Sequence, residues 1–139
     1  MKILLVGAGG VGSAFVAIAA RRDFFESVVV ADYALSSADR AVSSINDPRF
    51  TAAQVDASSA DSVAELARSS GATHVMNAVD PRCVMHIFNG ALADGAESLD
   101  MATSLAPRHP AMPSTVLRVN SADTEFTTDH TRAPAGRRD

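Results

Sequence analysis

The chain has a single cysteine, Cys83, a single lysine, Lys2, and only 5% aromatic residues among its 139 positions. One cysteine cannot close an internal disulfide, so a disulfide-stapled secreted scaffold is excluded and a reducing, cytoplasmic setting is expected. No apolar run approaches the roughly 18 residues of a membrane span. An apolar stretch does follow Lys2, but the four glycines between Gly7 and Gly12 interrupt it, and Arg21, Arg22 and Asp23 follow without a cleavage pattern, which speaks against a secretory signal. Positive charge is also scarce: twelve basic against sixteen acidic residues leave a net charge of −4, a balance that disfavours a nucleic-acid partner. The near-absence of lysine, with abundant alanine, reads as genomic composition and not as a phosphate-binding surface. Metal-ligand spacing is missing too. Cys83 and His86 stand three apart on one predicted helix and so share a face, but no second cluster completes a set of three or four ligands, so no metal site is expected. They read instead as a small buried thiol and a helix-edge histidine. His74 begins an apolar run, and His109 and His130 lie in the tail; none is assigned a role.

What the chain does have is a glycine-rich turn in a meaningful place. Lys2-Ile3-Leu4-Leu5-Val6 runs directly into Gly7-Ala8-Gly9-Gly10-Val11-Gly12, a G-x-G-x-x-G between an apolar strand and a helical pattern. Gly7 permits the tight turn, Gly9 lets the backbone approach a pyrophosphate, and Gly12 permits close helix–strand packing. A helix N-terminus behind them offers unpaired N–H groups and a positive dipole end. Asp32 stands 20 residues after Gly12, at the end of the next apolar run, Val28-Val29-Val30-Ala31. A carboxylate there accepts hydrogen bonds from an adenosine ribose; the competing reading is an ordinary aspartate opening the turn before Ser37.

The first hundred residues repeat a strand–helix unit. Apolar runs at 2–6, 28–31, 51–55, 74–78 and 97–101 alternate with helical periodicity. Val11, Ala14, Phe15 and Ile18 form one predicted apolar stripe; Ala38, Ala41, Val42 and Ile45 form another, and Val84, Ile87, Phe88 and Ala91 a third, each expected to pack on a sheet. Ser58-x-x-Asp61 reads as a helix start, with Val63 and Leu66 on its buried side. Gly71 and Gly95 follow helical patterns where a left-handed residue is expected. Short loops and right-handed crossovers then give an α/β, doubly wound parallel Rossmann sheet in the order 3-2-1-4-5. The 47% hydrophobic content suffices for one such core. Past Thr103 the regularity stops. Four of the six prolines (107, 110, 113 and 134) fall there, with no glycine before Gly136. Residues 1–103 are therefore read as the dinucleotide-binding domain and 104–139 as an irregular tail, with one possible strand at Val116–Val119.

Four motifs in order, Gly7–Gly12, Val55-Asp56-Ala57, Asn77-Ala78-Val79-Asp80-Pro81 and Leu99-Asp100-Met101-Ala102, resemble the saccharopine dehydrogenase superfamily over about residues 1–104. The resemblance implies an oxidoreductase that transfers hydride between a nicotinamide and a secondary amine formed from an amino compound and a carbonyl acid. It also implies a sixth sheet strand and a larger substrate domain after the matched region, so the sequence is read as truncated before the substrate half and inactive alone. By this likeness Asp56 and Ala57 sit beside the adenine, although Asp56 reads equally as a loop carboxylate ahead of a helix. Ala78 and Val79 face the cofactor at the switch point, with Pro81 in the first turn of the next helix. NADP-using relatives often carry a small residue and an arginine where this chain has Asp32 and Tyr33. A carboxylate pairs with two ribose hydroxyls but repels a 2′-phosphate, so NAD is expected to be preferred over NADP.

The expected cofactor contacts are thus Gly7, Gly9, Gly10, Val11, Gly12, Asp32, Tyr33, Asp56, Ala57, Ala78 and Val79, with no catalytic residue assigned. Asp100, on the fifth strand, is placed toward the carboxyl edge, where in a longer relative it would meet substrate. The fifth strand has no sixth beside it in this reading, so self-association through it, or covering by 116–119, is expected. The alternative reading is an NAD-sensing regulatory module, like those of potassium channels and transporters, which shifts a conformational balance without chemistry.

Overall fold

A computed structural model describes residues 1–100. The tail expected over 104–139 and the strand at 116–119 lie outside the described residues. Five strands, β1 (Lys2–Val6), β2 (Ser27–Asp32), β3 (Phe50–Gln54), β4 (His74–Asn77) and β5 (Glu97–Asp100), alternate with helices α1 (Gly10–Ala19), α2 (Leu35–Ser43), α3 (Ala60–Ser70) and α4 (Val84–Ala93). A 3-10 turn, Pro81–Cys83, precedes α4. All strand pairs are parallel, in the order β3-β2-β1-β4-β5, the doubly wound arrangement that the alternation of periods predicts.

A parallel sheet is covered on both faces, so its central strand has no polar side to show. Ile3, Leu4, Leu5 and Val6 of β1 are accordingly all buried. Ile3 and Leu5 join Val28, Val30 and Phe50 under Val16, Ala38 and Ala41 on one face. Leu4 and Val6 join Val75 under Val63, Ala67, Ile87 and Ala91 on the other. On that second face α3 and α4 touch closely through Gly90, where a Cβ would stand 2.7 Å from the Ala60 carbonyl oxygen and from Val63 Cβ.

The structure corrects the periodicity in three places. In α1, Val11 and Ile18 are 56% and 61% exposed, and the buried positions are Gly12, Val16 and Ala19. Of the expected stripe, Val11, Ala14 and Ile18 point outward, while Phe15 is half-buried against the core. The rotation of α1 is set by Gly12, whose Cα lies directly against the Gly7 carbonyl, and this contact outweighs the hydrophobicity of Val11 and Ile18. In α3 the N-cap is Ser59, whose Oγ accepts the Ser62 N–H at 3.2 Å. Ser58 is drawn off to Asp56 instead. Finally, Cys83 closes the 3-10 turn while His86 lies in α4, so the two do not share one helix. Gly71 and Gly95 do take left-handed conformations, with φ of 62° and 71°. Every residue of β5 is exposed, and β5 is an edge strand among the described residues.

Candidate functional site

Because every strand runs the same way, their carboxyl ends gather along one edge of the sheet. The chain leaves β1 toward β2 and leaves β4 toward β5, which opens a crevice between the β1 and β4 ends where ligands of such sheets bind. Gly7 lies at that point with φ of 110°, a conformation that favours glycine. Its N–H donates to the Ala31 carbonyl at 2.7 Å, and the Ala78 N–H donates to the Val6 carbonyl at 2.8 Å, so each turn continues a ladder before diverging. The two turns then press together. A Cβ on Gly7 would fall 2.7 Å from the Ala78 oxygen and from Val79 Cγ1.

Gly9 and Gly10 differ: a Cβ on either meets nothing within 4 Å. Gly9 is the N-cap of α1, and no side chain caps the helix there. The first N–H groups of a helix have no partner within it. At this terminus, where Gly9 and Gly10 carry no side chain and leave open space, they form a cradle of backbone donors and positive dipole for an anionic group.

Asp32 ends β2 beside this loop. Its Oδ2 accepts the Ala8 N–H at 2.8 Å and its Oδ1 accepts the Ala34 N–H at 3.0 Å. It is therefore a turn residue and a clasp on the glycine loop at once. A carboxylate has about four acceptor sites, so each oxygen retains capacity toward the crevice. Tyr33 is 74% exposed, with its carbonyl held by Gln54 Nε2 at 2.9 Å. Asp56 Oδ1 accepts both the Ser58 hydroxyl at 2.6 Å and the Ser58 N–H at 2.9 Å. The hydroxyl bond first and the backbone bond second hold its carboxyl below the ordinary value. The loop reading of Asp56 is thus realised in its Oδ1 bonds, while its side chain still borders the crevice.

A groove of about 270 Å³ is lined by Val6, Gly7, Asp32, Tyr33, Val55, Asp56, Ala57, Ser58, Val79 and Cys83. Six residues expected from sequence, Gly7, Asp32, Tyr33, Asp56, Ala57 and Val79, come together in it. Gly9, Gly10, Val11 and Gly12 stand instead at the start of α1, and Ala78 packs against Gly7. Cys83, expected as a buried thiol, is half-buried against the core and also reaches the groove wall; it stands in the 3-10 turn that Pro81 opens. No group of three potential metal ligands exists among the described residues, and no described helix is long and apolar enough to cross a membrane.

Residues 3–132 match the family of the saccharopine dehydrogenase NADP binding domain. The chain belongs to that family. Among curated proteins, the domain is 27% identical over 106 residues to carboxyaminopropylagmatine dehydrogenase of Synechocystis sp., covering 76% of this chain and 27% of that protein. Among solved structures, apo saccharopine dehydrogenase (L-Glu forming) from Saccharomyces cerevisiae superposes with a TM-score of 0.63 at 16% identity, over 76% of this chain and 22% of that one. Yeast methylglyoxal/isovaleraldehyde reductase Gre2, complexed with NADPH, does so with a TM-score of 0.55 at 16% identity, over 67% and 33%. At these identities the structural matches speak to the fold. The chain spans about a quarter of the length of the first two relatives. As a saccharopine dehydrogenase NADP-binding domain, it is a Rossmann unit for a nicotinamide dinucleotide.

Proposed function

We propose that this domain holds the nicotinamide dinucleotide of an oxidoreductase that acts on a CH–NH bond, and that it prefers NAD to NADP. The observation that carries the reading is the uncapped α1 N-terminus beside a carboxylate at the end of β2. The pyrophosphate rests on the N–H groups behind Gly9, with Gly10, Val11 and Gly12 forming the first turn that presents them. Asp32 takes the adenosine ribose on the acceptor sites that Ala8 and Ala34 leave open. Tyr33, Asp56 and Ala57 border the adenine, and Ala78 and Val79 lie toward the nicotinamide. A bound nicotinamide supplies hydride transfer, while the chain supplies placement and electrostatics. The bond class is the one that membership of the saccharopine dehydrogenase family implies.

The preference follows from charge. No arginine or lysine adjoins Asp32 in sequence; Tyr33 and Ala34 come next. A 2′-phosphate would meet a carboxylate where NADP-binding sites commonly place a cation. Calorimetric titration of NAD and NADP tests both parts. Saturable binding is expected, with NAD at least about tenfold tighter, equivalent to about 1.4 kcal/mol. Equal or tighter NADP binding overturns the preference, and no binding of either overturns the whole reading.

We also propose self-association through β5, whose four residues are all exposed and which is an edge strand among the described residues. Light scattering of the 139-residue chain is expected to give at least twice the monomer mass of 14.4 kDa. A monodisperse monomer at high concentration refutes it.

A further inference from the structure

Asn77, the last residue of β4, is the one polar residue among the fully buried set, at 2% exposure among the described residues. A buried amide must be satisfied on both its donor and its acceptor side. Asn77 Oδ1 accepts the Val79 N–H at 3.0 Å, and Asn77 Nδ2 donates to Asp100 Oδ1 at 3.0 Å. The chemistry fixes which end is which: an N–H can only donate and a carboxylate only accepts, so the oxygen faces Val79 and the nitrogen faces Asp100. Asn77 and Asp100 are also register partners, at the carboxyl ends of β4 and β5.

Val79 is no ordinary loop residue. Its side chain lines the groove with Gly7 and Asp32, and its Cγ1 lies against the bare Cα of Gly7. A displacement of a few tenths of an ångström at Val79 is therefore passed to the glycine loop or opens a gap beside it. The Ala78 N–H bond to Val6 pins the turn from one side, and Asn77 pins it from the other. We infer that Asn77 is a positioning residue of the cofactor site, bracing the Ala78–Val79 turn against Gly7 by anchoring it to Asp100 at the end of β5. Its partner sets its identity. An aspartate at 77 would accept from Val79 but oppose a second carboxylate, and a leucine would leave the Val79 N–H and the Asp100 oxygen without this bond.

This inference rests on the dinucleotide reading above, but a readout independent of ligand separates the two. Three variants decide it: N77D, N77L and the exchange N77D/D100N. In the exchange, the carboxylate introduced at 77 accepts from both Val79 and the new amide at 100, so the Val79 bond keeps its direction and the bond between 77 and 100 is rebuilt with donor and acceptor reversed. Amide hydrogen exchange of Val79, followed by NMR in the absence of any nucleotide, is expected to accelerate at least tenfold in N77D and N77L and to return within threefold of wild type in the exchange. The Kd for NAD, corrected for the folded fraction from circular dichroism, is expected to rise about tenfold or more in N77D and to recover in the exchange. Unchanged Val79 protection in both single variants overturns the brace, whatever binds. Altered protection with unchanged NAD affinity, in a wild type that binds NAD, overturns the positioning role while leaving the dinucleotide reading intact. Should the single variants be too unstable to measure, failure of the folded exchange variant to recover wild-type protection overturns it.

Discussion

Gly12→Ala is expected to lower stability by about 3 kcal/mol and to weaken dinucleotide binding with it, whereas Gly9→Ala is expected to weaken binding alone. At Gly12 an added methyl group would overlap the Gly7 carbonyl oxygen. That atom belongs to the backbone of the loop itself, so no rotamer change relieves the overlap, and α1 or the loop must move. Overpacking typically costs ~1–3 kcal/mol, and contact with fixed backbone belongs at the upper end. For a domain of this size that is a fall in Tm of roughly 12–20 °C. Gly9 is the opposite case. Its φ of −71° and ψ of −160° are open to alanine, and a Cβ there meets no protein atom within 4 Å. Its Tm is expected to stay within about 2 °C, since surface changes of this kind cost no more than ~0.5 kcal/mol. The affinity for NAD is expected to drop by about tenfold or more, because the methyl group occupies the space above the helix N-terminus. Thermal unfolding and titration of the two variants check this. A Gly9→Ala protein that binds NAD as wild type does would mean that no pyrophosphate sits on this loop. A Gly12→Ala protein as stable as wild type would mean that the loop and α1 are not held in contact.

Removing the Asp32 carboxylate is expected to weaken NAD binding and to close the gap to NADP. An added 2′-phosphate brings close to two negative charges within hydrogen-bonding range of the carboxylate, a repulsion of order 1–3 kcal/mol in a partly exposed, screened site. It also removes a ribose hydroxyl that would donate to a charged acceptor, a bond worth roughly 1.5–3 kcal/mol. The two effects act in one direction. Arg40 is the counterweight: it lies in the last turn of α2, roughly 8 Å along the axis from the first residue of that helix, and a guanidinium that reached the 2′-phosphate would narrow the preference. Asp32→Ala also forfeits the clasps on Ala8 and Ala34, so its stability should fall by about 1 kcal/mol per bond. Asp32→Asn separates the two roles. It has one acceptor oxygen where Asp32 uses two, and no charge, so it keeps one of the clasps on Ala8 and Ala34; its stability is expected to lie between wild type and Asp32→Ala, while the NAD-to-NADP ratio narrows by about tenfold. A ratio that is the same in wild type, Asp32→Asn and Asp32→Ala would assign the discrimination elsewhere and leave Asp32 as a clasp only.

The sequence by itself determined the order of elements and the class of sheet. Runs such as Lys2–Val6 and Val28–Ala31, broken by helical periods, leave a parallel sheet covered on both sides as the solution that buries them all. Gly7, Gly9, Gly12 and Asp32 were legible for a related reason: a tight turn, an open helix start and a strand-end acid are local chemistries, readable from neighbours in the chain. Tertiary structure decided the rest. Hydrophobic periodicity shows that α1 has an apolar stripe, but the contact of Gly12 with Gly7 chose the face that packs, leaving Val11 and Ile18 outside. Ser58 and Ser59 are equivalent as caps until Asp56 claims one of them. Cys83 joins the groove because a 3-10 turn, not a helix, follows Asp80. The bond from Asn77 to Asp100 spans 23 residues and exists only because β5 pairs with β4 in that register. Local sequence specifies backbone conformation and apolar period, whereas which side chains meet depends on helix rotation and strand register, which are set by packing across the whole sheet.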